Sequence, residues 1–335
     1  MRKTILYIAL LVLPACSGRA QNKEVKMNEN RQTAVNPLLC DPEKGACEMP
    51  GITGETGELT PVSGPKPVRI LYFTDPICSS CWGIEPQLRK LKLEYGAYFD
   101  IEYRMGGLLP SWDIYNSGGI SKPSDVAHHW DEVSAYYEMP IDGDVWLEDP
   151  LSSSYPPSIA FKAAQVQDEK KALLFMRRIR EMVFLEKKNI TRWEHLAQAA
   201  AESGLDSVKL KQDYQGQAEQ LFRDDLSLAR NMGVRGFPTL FFSDSAGNRL
   251  MLYGVRPYEA FVQTLQKLLP EVQKKETDTG WEHLFAHYPT LTNKEFAVLT
   301  GRSYGEAEQL LKGLYEQKKL RRTLCKNGVL WRIAQ

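Results

Sequence analysis

The sequence predicts an α/β chain whose mixed sheet is interrupted by a helical domain, followed by a small α+β module of winged-helix type. Three observations carry that expectation. The β-rich apolar run Val68 to Thr74 leads directly into a helical pattern, the period is helical almost throughout from about Ser124 to Met232, and "FPTLFFSDSAGNRLMLYG" then returns to strands. Strands on both sides of a long helical stretch fit one sheet carrying an insertion.

The N-terminal "MRKTILYIALLVLPACSG" has a basic start, an apolar run from Ile5 to Leu13 and a small residue before Cys16. It reads as a secretory signal, too short to span a bilayer as a permanent helix. Its "LPAC" resembles a bacterial lipobox, so residues 1–16 are expected to end at a lipid-attached Cys16 that anchors the chain to a membrane in the cell envelope. A start at Met27 would instead give a cytoplasmic chain without the signal. Residues 17–65 are polar and rich in Gly, Pro, Glu, Thr and Lys, which reads as a tether and an irregular arm. Within the arm, the Asp-Pro and Lys-Gly steps between Cys40 and Cys47 indicate a tight loop.

The run Val68 to Thr74 alternates little, as a buried strand should. After Cys81, Ile84, Leu88, Leu91 and Tyr95 recur at helical spacing and define one buried face. "FDIEYRM" is a second strand. A helical insert is expected over about 122–232, then two strands around the turn Ser245 to Asn248, then a helix from Pro257 to Leu268, within a domain covering 66–272. The segment 280–335 stands apart. Thr292 with Glu295 and Ser303 with Glu306 are successive capping boxes. Ala307, Leu310, Leu311, Leu314 and Tyr315 form the expected buried stripe of the second helix, and Asn327-Gly328 marks a closing hairpin.

Whole-chain charge excludes little: Lys plus Arg and Asp plus Glu both total 42. A basic site must therefore be local. From Leu291 onward nine Lys or Arg face four Glu, and Arg321, Arg322 and Lys326 on the hairpin would suit a phosphate backbone. The same charges suit a solvated face, and a secreted chain would not meet DNA, so nucleic acid is not an expected partner.

Cys78 and Cys81 stand at the strand-to-helix junction in "DPICSSCWGIEP". Backbone N–H groups of a helix's first turn stabilise a thiolate, which favours Cys78 as nucleophile and Cys81, one turn on, as resolving thiol. A zinc half-site would need a second ligand pair. Cys40 and Cys47 have unsuitable spacing, and His283 and His287 lack an intervening acid, so no metal is expected. His128, His129 and His195 read as ordinary surface or core residues, Cys325 reads as a hairpin thiol, and no cofactor is called for.

"CSSC", Pro86 five residues later and "GVRGFPTLFF" together resemble the thioredoxin superfamily. The helical insert is similar to that of the DsbA-like branch, and "DPICSSCWGIEP", "REMVFLEKKNIT" and "LARNMGVRGFPTLFF" resemble the FrnE and SpxH (YjbH) relatives of DsbA over about residues 66–270. The resemblance implies a thioredoxin-like fold with a DsbA-type helical insertion. It implies catalytic roles for Cys78 and Cys81, with Pro238 as a cis-proline beside them, and substrate contacts at Phe237, Thr239 and Trp82. Ser79 and Ser80 bring no positive charge, which predicts a less acidic thiol than in DsbA. Cys40 and Cys47 are open to two readings, an auxiliary redox pair that exchanges with Cys78-Cys81 or a static loop disulfide.

The expected function is thiol-disulfide exchange or isomerisation on protein clients, with an unidentified redox partner, in a membrane-anchored lipoprotein facing the periplasm. Two alternatives stand beside it. One is a non-enzymatic SpxH-like adaptor that delivers clients to an ATP-dependent protease, and the other is a redox-sensing regulator.

Overall fold

The computed structural model describes residues 66–115 and 121–334, together with the backbone of Cys47 and Glu48. The expected signal, Cys16, Cys40 and most of the arm lie outside the described residues. In chain order the elements are β1 (Cys47–Glu48), β2 (Val68–Thr74), α1 (Ser79–Gly83), α2 (Glu85–Tyr95) and β3 (Phe99–Met105). Seven helices follow: α3 (Ser124–Tyr137), α4 (Val145–Glu148), α5 (Tyr155–Gln167), α6 (Glu169–Leu185), α7 (Trp193–Glu202), α8 (Ser207–Gln215) and α9 (Ala218–Asn231). Then come β4 (Gly236–Phe237), β5 (Thr239–Asp244), β6 (Arg249–Tyr253) and α10 (Tyr258–Leu268). The C-terminal part holds α11 (Trp281–His287), β7 (Leu291–Thr292), α12 (Asn293–Thr300), α13 (Tyr304–Glu316), β8 (Leu320–Cys325) and β9 (Gly328–Ile333).

The main sheet has the order β3-β2-β5-β6. β2 runs parallel to β3 and antiparallel to β5, which is antiparallel to β6. Only Arg69 of β2 is less than buried, because this central strand is covered on both faces and cannot alternate with solvent. The helix expected after Cys81 is two helices. It breaks at Ile84 between α1 and α2, and Pro86 sits in the first turn of α2, where its missing N–H costs nothing. Ile84, Leu88, Leu91 and Tyr95 are buried as their spacing predicts.

The arm, expected to be irregular, holds a strand at one place. Cys47 and Glu48 form a strand paired antiparallel with β4, Cys47 opposite Phe237 and Glu48 opposite Gly236.

In the C-terminal part the order β7-β9-β8 makes a small sheet, and both capping boxes form. The buried stripe of α13 is narrower than its period predicts. Ala307, Leu311 and Leu314 are buried, whereas Leu310 and Tyr315 stand 36% and 38% exposed because the hairpin covers one side only. Arg322 lies over the Tyr315 ring at 4.4 Å. Lys326 bridges Asp131 and Asp144 at 2.6 and 2.7 Å, and Asn327 Nδ2 donates to the Ile141 carbonyl at 2.7 Å. The hairpin turn is thus docked on the region of α3 and α4, and two of its candidate phosphate contacts are engaged within the chain.

Glu295 fastens α12 to the rest. Its side chain is wholly buried and takes Arg177 through two hydrogen bonds, at 2.7 and 3.1 Å, with Arg89 Nε at 3.3 Å. Burial alone would raise its carboxyl, but Arg177 and Arg89 outweigh burial and hold it below the usual range. It therefore stays ionised among two guanidinium groups. Glu295→Gln should cost about 3–5 kcal/mol, because it strands buried positive charge. Ser303→Ala, which removes an exposed cap, should cost only about 1 kcal/mol. Urea denaturation of both variants checks this, and equal losses would show that Glu295 acts only as a cap.

Candidate functional site

Cys78 is the N-cap of α1, and its sulfur accepts from the Cys81 N–H at 3.2 Å. That is the contact expected of a thiolate at a helix start. Both cysteines are nevertheless fully buried, and full desolvation outweighs one N–H. Burial, its hydrogen bond to Cys81 and the nearby Cys81 charge push the Cys78 thiol up. Burial also acts against a charged Cys81, but there the Cys78 thiol donates, Arg180 is close, and Thr74 and Tyr72 add hydrogen bonds, so the net shift is down. The pair titrates as a unit. The helix-start acidification expected at Cys78 is overridden by its burial.

Arg180 lies on α6, a hundred residues along the chain. Its guanidinium is buried, takes Glu85 at 2.5 Å, and donates to Thr74 Oγ1 at 2.6 Å and to the Asp75 carbonyl at 3.3 Å. The positive charge missing from Ser79-Ser80 is thus supplied from another element, and it acts more on the second cysteine than on the first. Ser80 Oγ lies 2.9 Å from the Tyr137 hydroxyl.

Phe237–Pro238 is a cis peptide bond. The Phe237 carbonyl lies 3.8 Å from Cys78 Sγ, so the "FPT" turn faces the dithiol. Gly106 makes room for the Phe237 ring, since a Cβ there would sit 1.8 Å from a ring carbon. Phe237 and Thr239 are buried, and Thr239 Oγ1 donates to the Gly236 carbonyl at 2.7 Å. Trp82, expected as a substrate contact, is a core residue. It is fully buried, stacks on Phe184 with centroids 5.4 Å apart, carries Arg177 over its face at 4.4 Å and donates to the Pro140 carbonyl at 3.0 Å.

Cys325 lies in β8, far along the chain from the pair; its sulfur contacts the Gly328 carbonyl at 3.1 Å, and burial pushes it up to about 11. His283 and His287 stack on one another at 4.3 Å. Among the described residues no group of metal-ligating side chains is assembled, and no helix is long and apolar enough to cross a membrane.

Residues 71–263 match the thioredoxin family model. The chain is 35% identical over 305 residues to the ClpXP adapter protein SpxH of Halalkalibacterium halodurans, covering 90% of this chain and 98% of that relative. The chain belongs to the SpxH family. The SpxH protein of Bacillus subtilis is 31% identical, with 80% of this chain and 89% of the relative covered. Among solved structures, a putative protein disulfide isomerase from Nitrosomonas europaea aligns with a TM-score of 0.53 at 23% identity, covering 62% of this chain and all of that one. That likeness is one of fold. This SpxH-family chain thus carries a thioredoxin domain with a buried cysteine pair.

One further group stands out below the dithiol. Asp75 is fully buried and accepts from the N–H groups of Ile77 and Leu108 at 3.1 and 2.8 Å and from Ser154 Oγ at 2.8 Å. Burial raises it from 3.8 to about 6 against the pull of those bonds. Its place three residues before Cys78, inside "TDPIC", was visible in the sequence; its burial was not. An acid raised in the folded state binds more protons folded than unfolded. The stability it contributes is therefore full below its unfolded value and is lost as pH rises through about 6. Asp75→Asn should flatten the fall in urea midpoint across that window, and an unchanged slope would assign the fall to other groups.

Proposed function

We propose that this chain is an SpxH-type adaptor that binds protein clients and hands them to the ClpXP protease, with Cys78 and Cys81 as a redox-responsive element. The observation that carries the reading is the extent of the match. Coverage of 90% of this chain and 98% of the H. halodurans relative leaves too few residues over to exclude segment 280–335, whereas the thioredoxin match stops at 263. The shared unit is therefore a thioredoxin-like domain plus its C-terminal module. Two features of the site support a binding role. Cys78 is buried with its thiol pushed up, which lowers the thiolate available for rapid exchange. The C-terminal module is docked on the helical part through Lys326 and Asn327, where it adds surface for a partner.

The second reading is a thiol-disulfide oxidoreductase, favoured by the Phe237 carbonyl facing Cys78 Sγ. The readings differ in compartment. The adaptor works beside its protease and goes with translation from Met27; the oxidoreductase goes with a lipid-attached Cys16 and the periplasm.

In cells carrying inactive ClpP as a substrate trap, expression of this chain should enrich a set of trapped clients severalfold. Cys78→Ser/Cys81→Ser should enrich the same set, since delivery does not consume electrons. A client set unaffected by the chain, together with mixed disulfides accumulating on Cys81→Ser, would favour the oxidoreductase. Fractionation with the mass of the mature N-terminus checks the compartment.

A further inference from the structure

The open side of β4 lies beside the dithiol, and the chain fills it itself. Gly236 and Phe237 pair with no strand but β1 among the described residues, in a two-stranded sheet separate from the main one. Phe237 is the residue whose carbonyl contacts Cys78 Sγ at 3.8 Å, and the residue opposite it in register is Cys47. Directly opposed residues of an antiparallel pair have Cα atoms about 4.5–5.5 Å apart. The register therefore sets a second cysteine one strand away from the backbone group that Cys78 touches.

The exposed edge of a short strand is a template for an extended peptide, with main-chain bonds giving affinity and the facing position giving selectivity. β1 occupies that edge, and Cys78 is fully buried, so an external reagent reaches it only as β1 lifts.

We propose that β1 is an internal occupant of a cysteine-peptide docking edge on β4, and that Cys47 is the thiol that exchanges with Cys78 until an extended, cysteine-bearing client displaces it. The step is a balanced thiol-disulfide exchange. From an oxidised Cys78–Cys81 pair, the Cys47 thiolate attacks the Cys78 sulfur, the Cys47–Cys78 bond forms, and Cys81 leaves as the thiolate. Cys81 is the better leaving group, because Arg180, Thr74 and Tyr72 stabilise its charge. The proposal deepens the client-binding reading by naming where a client's cysteine strand would dock, and it is tested without the protease, so the two can fail separately.

The probe is oxidised glutathione acting on full-length chain in which Cys16, Cys40, Cys81 and Cys325 are serine. Glutathione disulfide first forms a mixed disulfide on Cys78 and releases one glutathione; attack by Cys47 then releases the second and leaves the Cys47–Cys78 bridge. Peptide mass mapping should find that bridge as the main product, and Cys47→Ser in the same background should stop at the Cys78–glutathione adduct. In the otherwise native reduced chain, deleting residues 36–50 should raise the rate of Cys78 alkylation by iodoacetamide severalfold. Either a persistent glutathione adduct on Cys78 with Cys47 present, or equal alkylation rates with and without residues 36–50, overturns the proposal.

Discussion

The buried alternation of arginine and glutamate between α2, α6 and α12 is the interaction on which the arrangement depends. Glu295 holds Arg177 and Arg89, Arg89 lies 3.8 Å from Glu85, and Glu85 takes Arg180, which reaches Thr74 at the end of the central strand. Each of these charges is costly to bury alone, and the cost is offset only while its neighbours are in place. Docking of the C-terminal module is therefore a condition on the geometry around the cysteines as well as an addition of surface. Arg177 connects the two directly, since it pairs with Glu295 and lies over Trp82, the residue after Cys81.

The same network explains the acidity pattern of the dithiol. Nothing within the CSSC turn carries positive charge, so the stabilisation of a thiolate depends on which sulfur the Arg180 side favours. It favours Cys81. Cys78 has the helix-start N–H and the Phe237 carbonyl beside it but lies in a fully desolvated position. Nucleophilicity at Cys78 thus depends on what covers it.

Most of the fold was legible because its signals are local. β2 and β3 begin and end where the strand segments read from Val68–Thr74 and Phe99–Met105 do, and each capping box joins residues three apart in the sequence. The narrower stripe on α13 was not legible, since period alone does not say how wide a covering hairpin is. At the site, the pairing of "CSSC" with "FPT" was readable from the motifs. Arg180 was not: its contact with Thr74 joins positions 106 apart in sequence, and an arginine inside a helical run reads as a solvated residue until another element covers it. Trp82 misled for the complementary reason. An aromatic next to a reactive pair suggests contact with substrate, but α1 turns its ring inward against Phe184 and under Arg177.

The arm marks the limit of local reading more sharply. Asp-Pro and Lys-Gly steps are a local signal for a turn, in a stretch outside the described residues, and they say nothing of what the residues after it will pair with. A two-residue strand has almost no intrinsic stability. Its position is set by a vacant edge elsewhere, and here that edge is Gly236–Phe237, adjacent to the dithiol. Weak local preference and a specific distant acceptor are what a displaceable segment requires: an arm that paired strongly would block the edge, and one with no register would leave it open. The placement of Cys47 opposite Phe237 therefore has more functional content than the composition of the arm that carries it.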